Sequence, residues 1–218
     1  TLFRSLNGSH RPHLKMPSRA LVRSELEGKL AEMAAAGQKP DAITFAGNGE
    51  PTGHPEFAQI VDDVIKLRDR FAPKAKISVL TNAFHILRPE VFAALQRVDN
   101  ALLKLDTVNL EYIELVNRPQ GRYDLERLVE KMKAFEGNCM IQTMFMKGSW
   151  EGKSVDNTSE RFVGPWLAAV KAIRPKLVTI YTIDRETPDK SLEKATHEEL
   201  DRIAARLREA GLECTVSY

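Results

Sequence analysis

The stretch Ile-Thr-Phe-Ala-Gly-Asn-Gly-Glu-Pro (residues 43–51) decides the fold class of this chain. Its first four residues form a short apolar run, which is typical of a buried strand. Gly47 and Gly49 carry no Cβ, so the backbone can turn sharply and a ligand can approach it closely. Pro51 cannot donate to a sheet ladder and therefore ends the strand.

The turn after this strand also indicates a chemistry. Open backbone carbonyl groups and the Glu50 carboxylate suit the ammonium group of a ligand. Phosphate is a poorer match, because it prefers N–H donors at a helix N-terminus. An ordinary turn between a strand and a helix is the alternative interpretation, since a single Gly-x-Gly-Glu sequence is a weak motif.

Short apolar segments alternate with amphipathic helical patterns along the rest of the chain. Pro55 and Pro89 suit the first positions of two of these helices, and Gly37 suits a helix C-cap. The alternation predicts repeated βαβ units and therefore an α/β fold with a parallel sheet or barrel. The predicted strands are residues 43–46, 76–80, 101–105, 138–146, 177–181 and 214–216.

Composition favours an ordinary globular protein. The 218 residues are 43% hydrophobic and 28% charged, which excludes a disordered chain, and they can fill one sizeable core. A net charge of +2 argues neither for nor against nucleic acid. No apolar run approaches the roughly 18 residues that a membrane span needs. The two cysteines are too few for a disulfide framework, so we expect a cytoplasmic protein without a membrane partner.

The first residues do not fit the pattern of the rest. Thr-Leu-Phe-Arg-Ser (residues 1–5) matches the translation of a common sequencing adapter, and no initiator Met is present. We therefore expect residues 1–17 to be a tail or a truncation scar, followed by one domain over residues 18–218.

Polar side chains collect at or just beyond the ends of successive predicted strands. In parallel α/β barrels, ligands bind at the carboxyl ends of the strands. Local turn chemistry could account for any one of these groups, but five consecutive groups favour a site. The groups are Asn48 and Glu50, Thr81 and Asn82, Lys104 and Asp106, Gln142 and Thr143, and finally Thr182, Asp184 and Arg185.

Four segments together resemble the radical S-adenosylmethionine (SAM) proteins, in particular the iron–sulfur oxidoreductases grouped with the wybutosine-biosynthesis enzymes. They are residues 43–52, Val-Leu-Thr-Asn (79–82), Leu-Lys-Leu-Asp (103–106) and Tyr-Thr-Ile-Asp-Arg-Glu-Thr-Pro (181–188). The resemblance implies an incomplete, TIM-like parallel (βα)6 barrel, here without its first strand and cluster loop. It also implies a [4Fe–4S] cluster and SAM, which the family cleaves reductively to a 5′-deoxyadenosyl radical.

The resemblance implies roles for ten residues. Asn48-Gly49-Glu50, with Gly47 before it, corresponds to the Gly-Gly-Glu motif that holds the methionine amino group. The first glycine of that motif is Asn here. Lys104 and Asp106 would contact the ribose of SAM. Thr81, Asn82, Gln142 and Thr143 would line the methionine or substrate side, an assignment that rests on strand position alone.

The chain departs from the family in its cysteines. The Cys-x3-Cys-x2-Cys motif that ligates the cluster is missing, and Cys139 and Cys214 lie at apolar strand positions typical of small core residues. We expect the motif upstream of this sequence, so this chain alone would be inactive. The resemblance further implies an electron donor such as flavodoxin or ferredoxin, and a small-molecule, peptide or RNA substrate.

Two other functions stay open. The chain could be a cluster-free SAM- or nucleotide-binding barrel without catalysis. It could also be an unrelated barrel lyase or hydrolase, such as an aldolase that uses Lys104 as a nucleophile. No Gly-rich helix N-terminus offers a phosphate cradle, which disfavours a phosphate-handling enzyme.

Overall fold

The computed structural model describes residues 16–46, 49–184 and 190–218. Two compact units divide its described part, and we call residues 16–102 the first unit and residues 103–218 the second unit. The predicted tail over residues 1–17 lies almost entirely outside the described residues, and the prediction of one domain stays a prediction.

In the first unit, helices alternate with parallel strands. β1 pairs in parallel with β2, from Ala42 opposite Lys76 to Phe45 opposite Val79, and the strand order is β1-β2-β3. The elements are α1 (Arg19–Ala35), β1 (Ala42–Phe45), a 3-10 turn (Pro51–Gly53), α2 (Phe57–Phe71), β2 (Lys76–Thr81), α3 (Pro89–Leu95) and β3 (Asn100–Lys104), whose last two residues belong to the second unit.

Local signals explain where these helices begin and end. The Ser18 side chain caps α1 by accepting a hydrogen bond from Leu21 N, and Gly37 follows the helix at φ +70°, which confirms the predicted C-cap. Pro89 occupies the first turn of α3, as predicted. The prediction for Pro55 was wrong: α2 begins at Phe57, because Pro51 opens a separate 3-10 turn first.

The second unit holds parallel strands in the order β4-β7-β9 and a small antiparallel sheet in the order β6-β5-β8. Its first helix, α4, continues directly into a π-helical turn. The elements are α4 (Leu110–Tyr112), the π turn (Ile113–Asn117), α5 (Leu125–Lys133), β4 (Met140–Met144), β5 (Met146–Trp150), β6 (Lys153–Ser154), α6 (Glu160–Ile173), β7 (Leu177–Tyr181), β8 (Leu192–Lys194), α7 (His197–Glu209) and β9 (Cys214–Ser217).

The single strand predicted over residues 138–146 was wrong. The chain changes partners at Phe145: β4 pairs in parallel with β7, whereas β5 pairs antiparallel with β8. Asn157 fixes this change, because its Nδ2 donates to Met144 O (2.9 Å) and its Oδ1 accepts from Met146 N (2.9 Å). Apolar periodicity could not show it, since the residues on both sides of Phe145 are apolar.

The structure confirms the α/β class. The parallel sheet has six strands: β1, β2 and β3 were described with the first unit, and β4, β7 and β9 with the second. Cys139 is fully buried, as predicted for a core residue, but Cys214 is only half-buried, because side chains alternate between two faces along β9. No helix among the described residues combines the length and apolar character that crossing a membrane requires.

Candidate functional site

The Glu50 carboxylate organises the strand ends of the first unit. Its Oε1 accepts hydrogen bonds from Thr52 N (3.1 Å), Thr52 Oγ1 (2.5 Å) and Thr81 Oγ1 (2.5 Å). Its Oε2 accepts one, from Asn82 N (2.7 Å). Glu50 therefore ties the turn after β1 to the end of β2, and the predicted residues Glu50, Thr81 and Asn82 do lie together.

The two carboxylate oxygens differ in what they can still bind. An ionised carboxylate has about four lone-pair sites, two on each oxygen. Oε1 is saturated by its three donors, whereas Oε2 has one donor among residues 16–46, 49–184 and 190–218 and keeps capacity for another. Oε2 is therefore the atom of Glu50 that can accept from a ligand.

Asn82 complements this acceptor with a donor. Its side chain is exposed, and its Oδ1 accepts from Phe84 N (2.9 Å), which fixes the amide so that Nδ2 is turned away from that bond. No described residue accepts a hydrogen bond from Nδ2. Ala83 follows at φ +62°, a left-handed conformation that places Asn82 at a sharp turn. Among the described residues, Glu50 Oε2 thus keeps one acceptor site and Asn82 Nδ2 has no acceptor, and the two residues are joined by the bond from Asn82 N.

Space and charge around Glu50 also suit a cationic group. A Cβ placed on Gly49 would meet nothing within 4 Å, so the backbone before Glu50 borders open space. Burial lowers the pKa of His85, an effect larger than the opposing influence of Glu50, so this imidazole is neutral at pH 7. Among the described residues, no cation hydrogen-bonds Glu50, and its negative charge remains available.

Asp106 has a comparable position in the second unit. Lys104 Nζ lies 2.7 Å from Asp106 Oδ1 and 2.6 Å from Oδ2. Oδ1 also accepts from Met144 N (3.0 Å), and Oδ2 accepts from Asn117 Nδ2 (2.9 Å). All four lone-pair sites of this buried carboxylate are therefore occupied by protein donors.

Lys104 is held as a cation. Burial alone would lower its pKa, but the charges of Asp106 and Tyr181 and its hydrogen bonds to them raise the pKa above the ordinary value. A lysine nucleophile needs a lowered pKa instead. The structure therefore argues against the aldolase-like alternative, and the ribose contacts expected of Lys104 and Asp106 stay a prediction.

The remaining predicted residues have structural contacts. Thr143 is fully buried, and its Oγ1 donates to Leu105 O (2.8 Å). Gln142 is half-buried, and its backbone O accepts from Leu105 N (3.0 Å). Thr182 Oγ1 accepts from Ala195 N (2.8 Å). Gly47, Asn48 and Arg185 lie outside the described residues, so their predicted roles stay predictions.

Sequence reasoning missed Asn117 and Asn157, which both support Asp106. Asn157 is fully buried and also donates to Asp106 O (3.2 Å), while Asn117 is the last residue of the π turn. An isolated Asn in a polar segment carries no distinctive signal. The contact of Asn117 with Asp106 depends on the π turn, which apolar periodicity does not show.

The residues present do not fit an iron–sulfur cluster. Such a cluster needs several thiolate ligands, and the chain has only Cys139 and Cys214. Burial raises the pKa of Cys139 to about 12, which opposes thiolate formation, and burial also raises that of Cys214. Among the described residues, no three His, Cys, Asp or Glu side chains are grouped as a metal site would require.

One family model and several curated proteins match this chain. Residues 10–151 match the family model described as the Radical SAM superfamily. A UPF0026 protein of Synechocystis sp. is 28% identical over 158 residues, which cover 71% of this chain and 53% of that protein. A Brachyspira hyodysenteriae protein named GTPase Obg is 22% identical over 182 residues, which cover 82% of this chain and 25% of that protein. The chain thus spans about half or less of these relatives.

Solved structures show the same fold. A radical SAM methyltransferase from Sphaerobacter thermophilus has a TM-score of 0.64 at 17% identity, covering 90% of this chain and 56% of that chain. A domain of pyruvate-formate lyase-activating enzyme from Bacteroides vulgatus has a TM-score of 0.61 at 16% identity, covering 81% and 99%. At these identities the likeness concerns the fold alone. The wybutosine-type resemblance stays a prediction.

Proposed function

The chain belongs to the radical SAM superfamily, and we propose that its first unit binds the methionine end of SAM at Glu50 and Asn82. The methionine end is a zwitterion with an ammonium and a carboxylate group. The observation that carries the proposal concerns two neighbouring residues, joined by the 2.7 Å bond from Asn82 N to Glu50 Oε2: among the described residues, Oε2 accepts only this one bond and Asn82 Nδ2 donates none.

Each group has a distinct task in this proposal. Glu50 Oε2 accepts from the ammonium group, and the space beside Gly49, where a Cβ would meet nothing within 4 Å, leaves room for it. Asn82 Nδ2 donates to the carboxylate. Thr52 and Thr81 do not contact the ligand: they hold Oε1, so the carboxylate is fixed before SAM arrives.

For the whole protein we propose reductive cleavage of SAM, the chemistry that SAM supplies in this superfamily when a reduced [4Fe–4S] cluster is bound. The described residues do not fit that cluster, so no step of the cleavage is assigned to them. An electron donor such as flavodoxin or ferredoxin belongs to the same proposal.

Titration of the chain with SAM by calorimetry tests the binding site. Asn82→Asp keeps the acceptor for Phe84 N but replaces the donor with a negative charge. Because a hydrogen bond to a charged group contributes about 1.5–3 kcal/mol, we expect SAM affinity to fall roughly 10- to 100-fold. Gln59→Glu makes the same charge change at an exposed position of α2 and should leave affinity unchanged. Equal affinity of the two variants would contradict the site.

A second candidate is a SAM-binding module without catalysis, which the missing cluster ligands favour for this chain. Translation of the source DNA upstream of residue 6 separates the candidates, because the enzyme needs its cluster ligands there. A Cys-x3-Cys-x2-Cys run upstream would support the enzyme, whereas a start codon near residue 1 without such cysteines would support the non-catalytic module.

A further inference from the structure

A cavity in the second unit is separate from the residues assigned to SAM. Its volume is ≈ 820 Å³, within the range of small-molecule sites. It lies between the segment that contains α4 and the π turn, the β5–β6 hairpin and the start of α6. Its lining includes Tyr112, Leu115, Arg118, Glu151, Asp156 and Phe162, and none of the ten residues predicted to bind SAM.

The Tyr112 hydroxyl is a candidate contact for a ligand in this cavity. The Tyr112 side chain is only 4% exposed, and its ring packs edge-on against Phe162 at 5.4 Å between ring centroids. No described residue hydrogen-bonds this hydroxyl, yet it is not one of the fully buried unpartnered side-chain atoms, which in the described part of the chain are Asn117 Oδ1 and Trp150 Nε1. The hydroxyl is therefore open to the cavity that Tyr112 lines, where a ligand can replace solvent as its hydrogen-bond partner.

The charges around the cavity are mixed. Four carboxylates and three cations line it, so no single sign dominates; they are Glu111, Glu114, Glu151, Asp156, Arg118, Lys153 and Arg161. A polyanion such as RNA needs a positive surface and would be repelled by the carboxylates. A ligand with both an ammonium and a carboxylate group finds partners of both signs. Phe162 and Leu115 add apolar surface for the rest of such a ligand.

One ion pair of the lining joins residues at two turns, Arg118 and Glu151. Arg118 (φ +45°) and Glu151 (φ +51°) are both left-handed, where Gly or Asn is the ordinary choice. Their side chains meet at 2.8 Å, and the Arg118 guanidinium lies 5.6 Å from the centroid of the Trp150 ring. Arg118 is the C-cap of the π turn and Glu151 lies in the two-residue hairpin turn between Trp150 and Lys153, so both conformations follow from these turns.

We infer that this cavity binds an amino-acid-type zwitterion, either a free amino acid or the end of a peptide, with the Tyr112 hydroxyl hydrogen-bonded to it. The inference extends the proposed function, because it gives the chain a second ligand site with its own chemistry. It does not depend on SAM binding, since the two sites share no residue.

The zwitterionic tripeptide trialanine is a suitable probe, followed through the backbone amide signals of the isotope-labelled chain. We expect trialanine to shift the amides of Leu115 and Phe162 and to leave Gly211, which is outside the lining, unchanged. Trialanine capped at both ends lacks the charges and should bind more weakly. Adenosine monophosphate represents a nucleotide ligand and should not bind.

Tyr112→Phe removes only the hydroxyl. We expect trialanine affinity to fall about 3- to 10-fold, the worth of one hydrogen bond, while the melting temperature stays constant because no protein hydrogen bond is lost. Tyr181→Phe is the control: it removes a hydroxyl bonded to Lys104, so it should lower stability and leave trialanine affinity unchanged. Absence of trialanine binding, tighter binding of adenosine monophosphate, or equal affinity of Tyr112→Phe and the unmodified chain would each overturn the inference.

Discussion

Glu50→Gln is the most informative single change in the first unit, because an amide cannot replace this carboxylate in either orientation. If the NH2 group of the glutamine takes the Oε2 position, two donors face each other, because Asn82 N lies 2.7 Å from Oε2 in the unmodified chain. With the NH2 group at the Oε1 position, the amide faces Thr52 N at 3.1 Å. The hydroxyl groups of Thr52 and Thr81 can rotate and accept, but a backbone N–H cannot.

The expected magnitude follows from that single conflict. Either orientation loses one backbone hydrogen bond to a charged acceptor, which contributes about 1.5–3 kcal/mol to the free energy of unfolding. For a protein of 150–250 residues, each kcal/mol corresponds to roughly 2–4 °C in melting temperature. We therefore expect Glu50→Gln to lower the melting temperature by roughly 3–12 °C.

Thermal unfolding followed by circular dichroism measures this change. Glu56→Gln is the matched control, because Glu56 precedes α2, is exposed and makes no side-chain capping hydrogen bond. It should shift the melting temperature by less than about 2 °C, as surface substitutions usually do. Equal melting temperatures for Glu50→Gln and the unmodified chain would refute the reasoning that the four hydrogen bonds of Glu50 hold the turn to β2.

Three further predictions concern stability. Lys104→Met leaves the Asp106 carboxylate buried without its cation and should cost about 3–5 kcal/mol in urea unfolding; a cost below about 1 kcal/mol would show that the pair does not exist. Asn157→Ala removes three buried hydrogen bonds and should cost roughly 2–5 kcal/mol in the same assay, and an unchanged midpoint would contradict them. The hydrogen bond and charge of Arg19 lower the pKa of Asp63 despite its burial. The pair therefore stabilises the folded chain fully above the unfolded-state pKa of Asp63, about 4, and this contribution is lost as the pH falls through the lower pKa of the folded state. Asp63→Asn should therefore reduce stability at pH 7 and lose this difference in strong acid; a constant difference at every pH would contradict the pKa shift.

Most of the fold could be predicted because its signals are local. The strand at residues 177–181 was predicted with its observed bounds, and Pro89 and Gly37 mark helix ends through their own backbone preferences. The partner change at Phe145 could not be predicted in this way. It depends on Asn157, which is twelve positions further along the chain and has no effect on local propensity.

The proximity of the polar residues was predictable, whereas their hydrogen-bond partners were not, and their role as a ligand site stays a prediction. Polar residues after successive strands correctly indicated that Glu50 and Asn82 lie together. The sequence could not show that Oε1 is saturated while Oε2 is not, or that Asp106 is fully occupied by protein donors. Those facts depend on which donors the folded chain brings to each oxygen.

Mapping of SAM binding onto the backbone amides tests the central claim most directly. Addition of SAM to the isotope-labelled chain should shift the amide signals of Gly49 and Asn82, which follow β1 and β2. The amides of Gly37 and Ala75, which precede the same two strands, should not move. Shifts confined to Gly37 and Ala75, or no shift at saturating SAM, would contradict a methionine-binding site at Glu50 and Asn82.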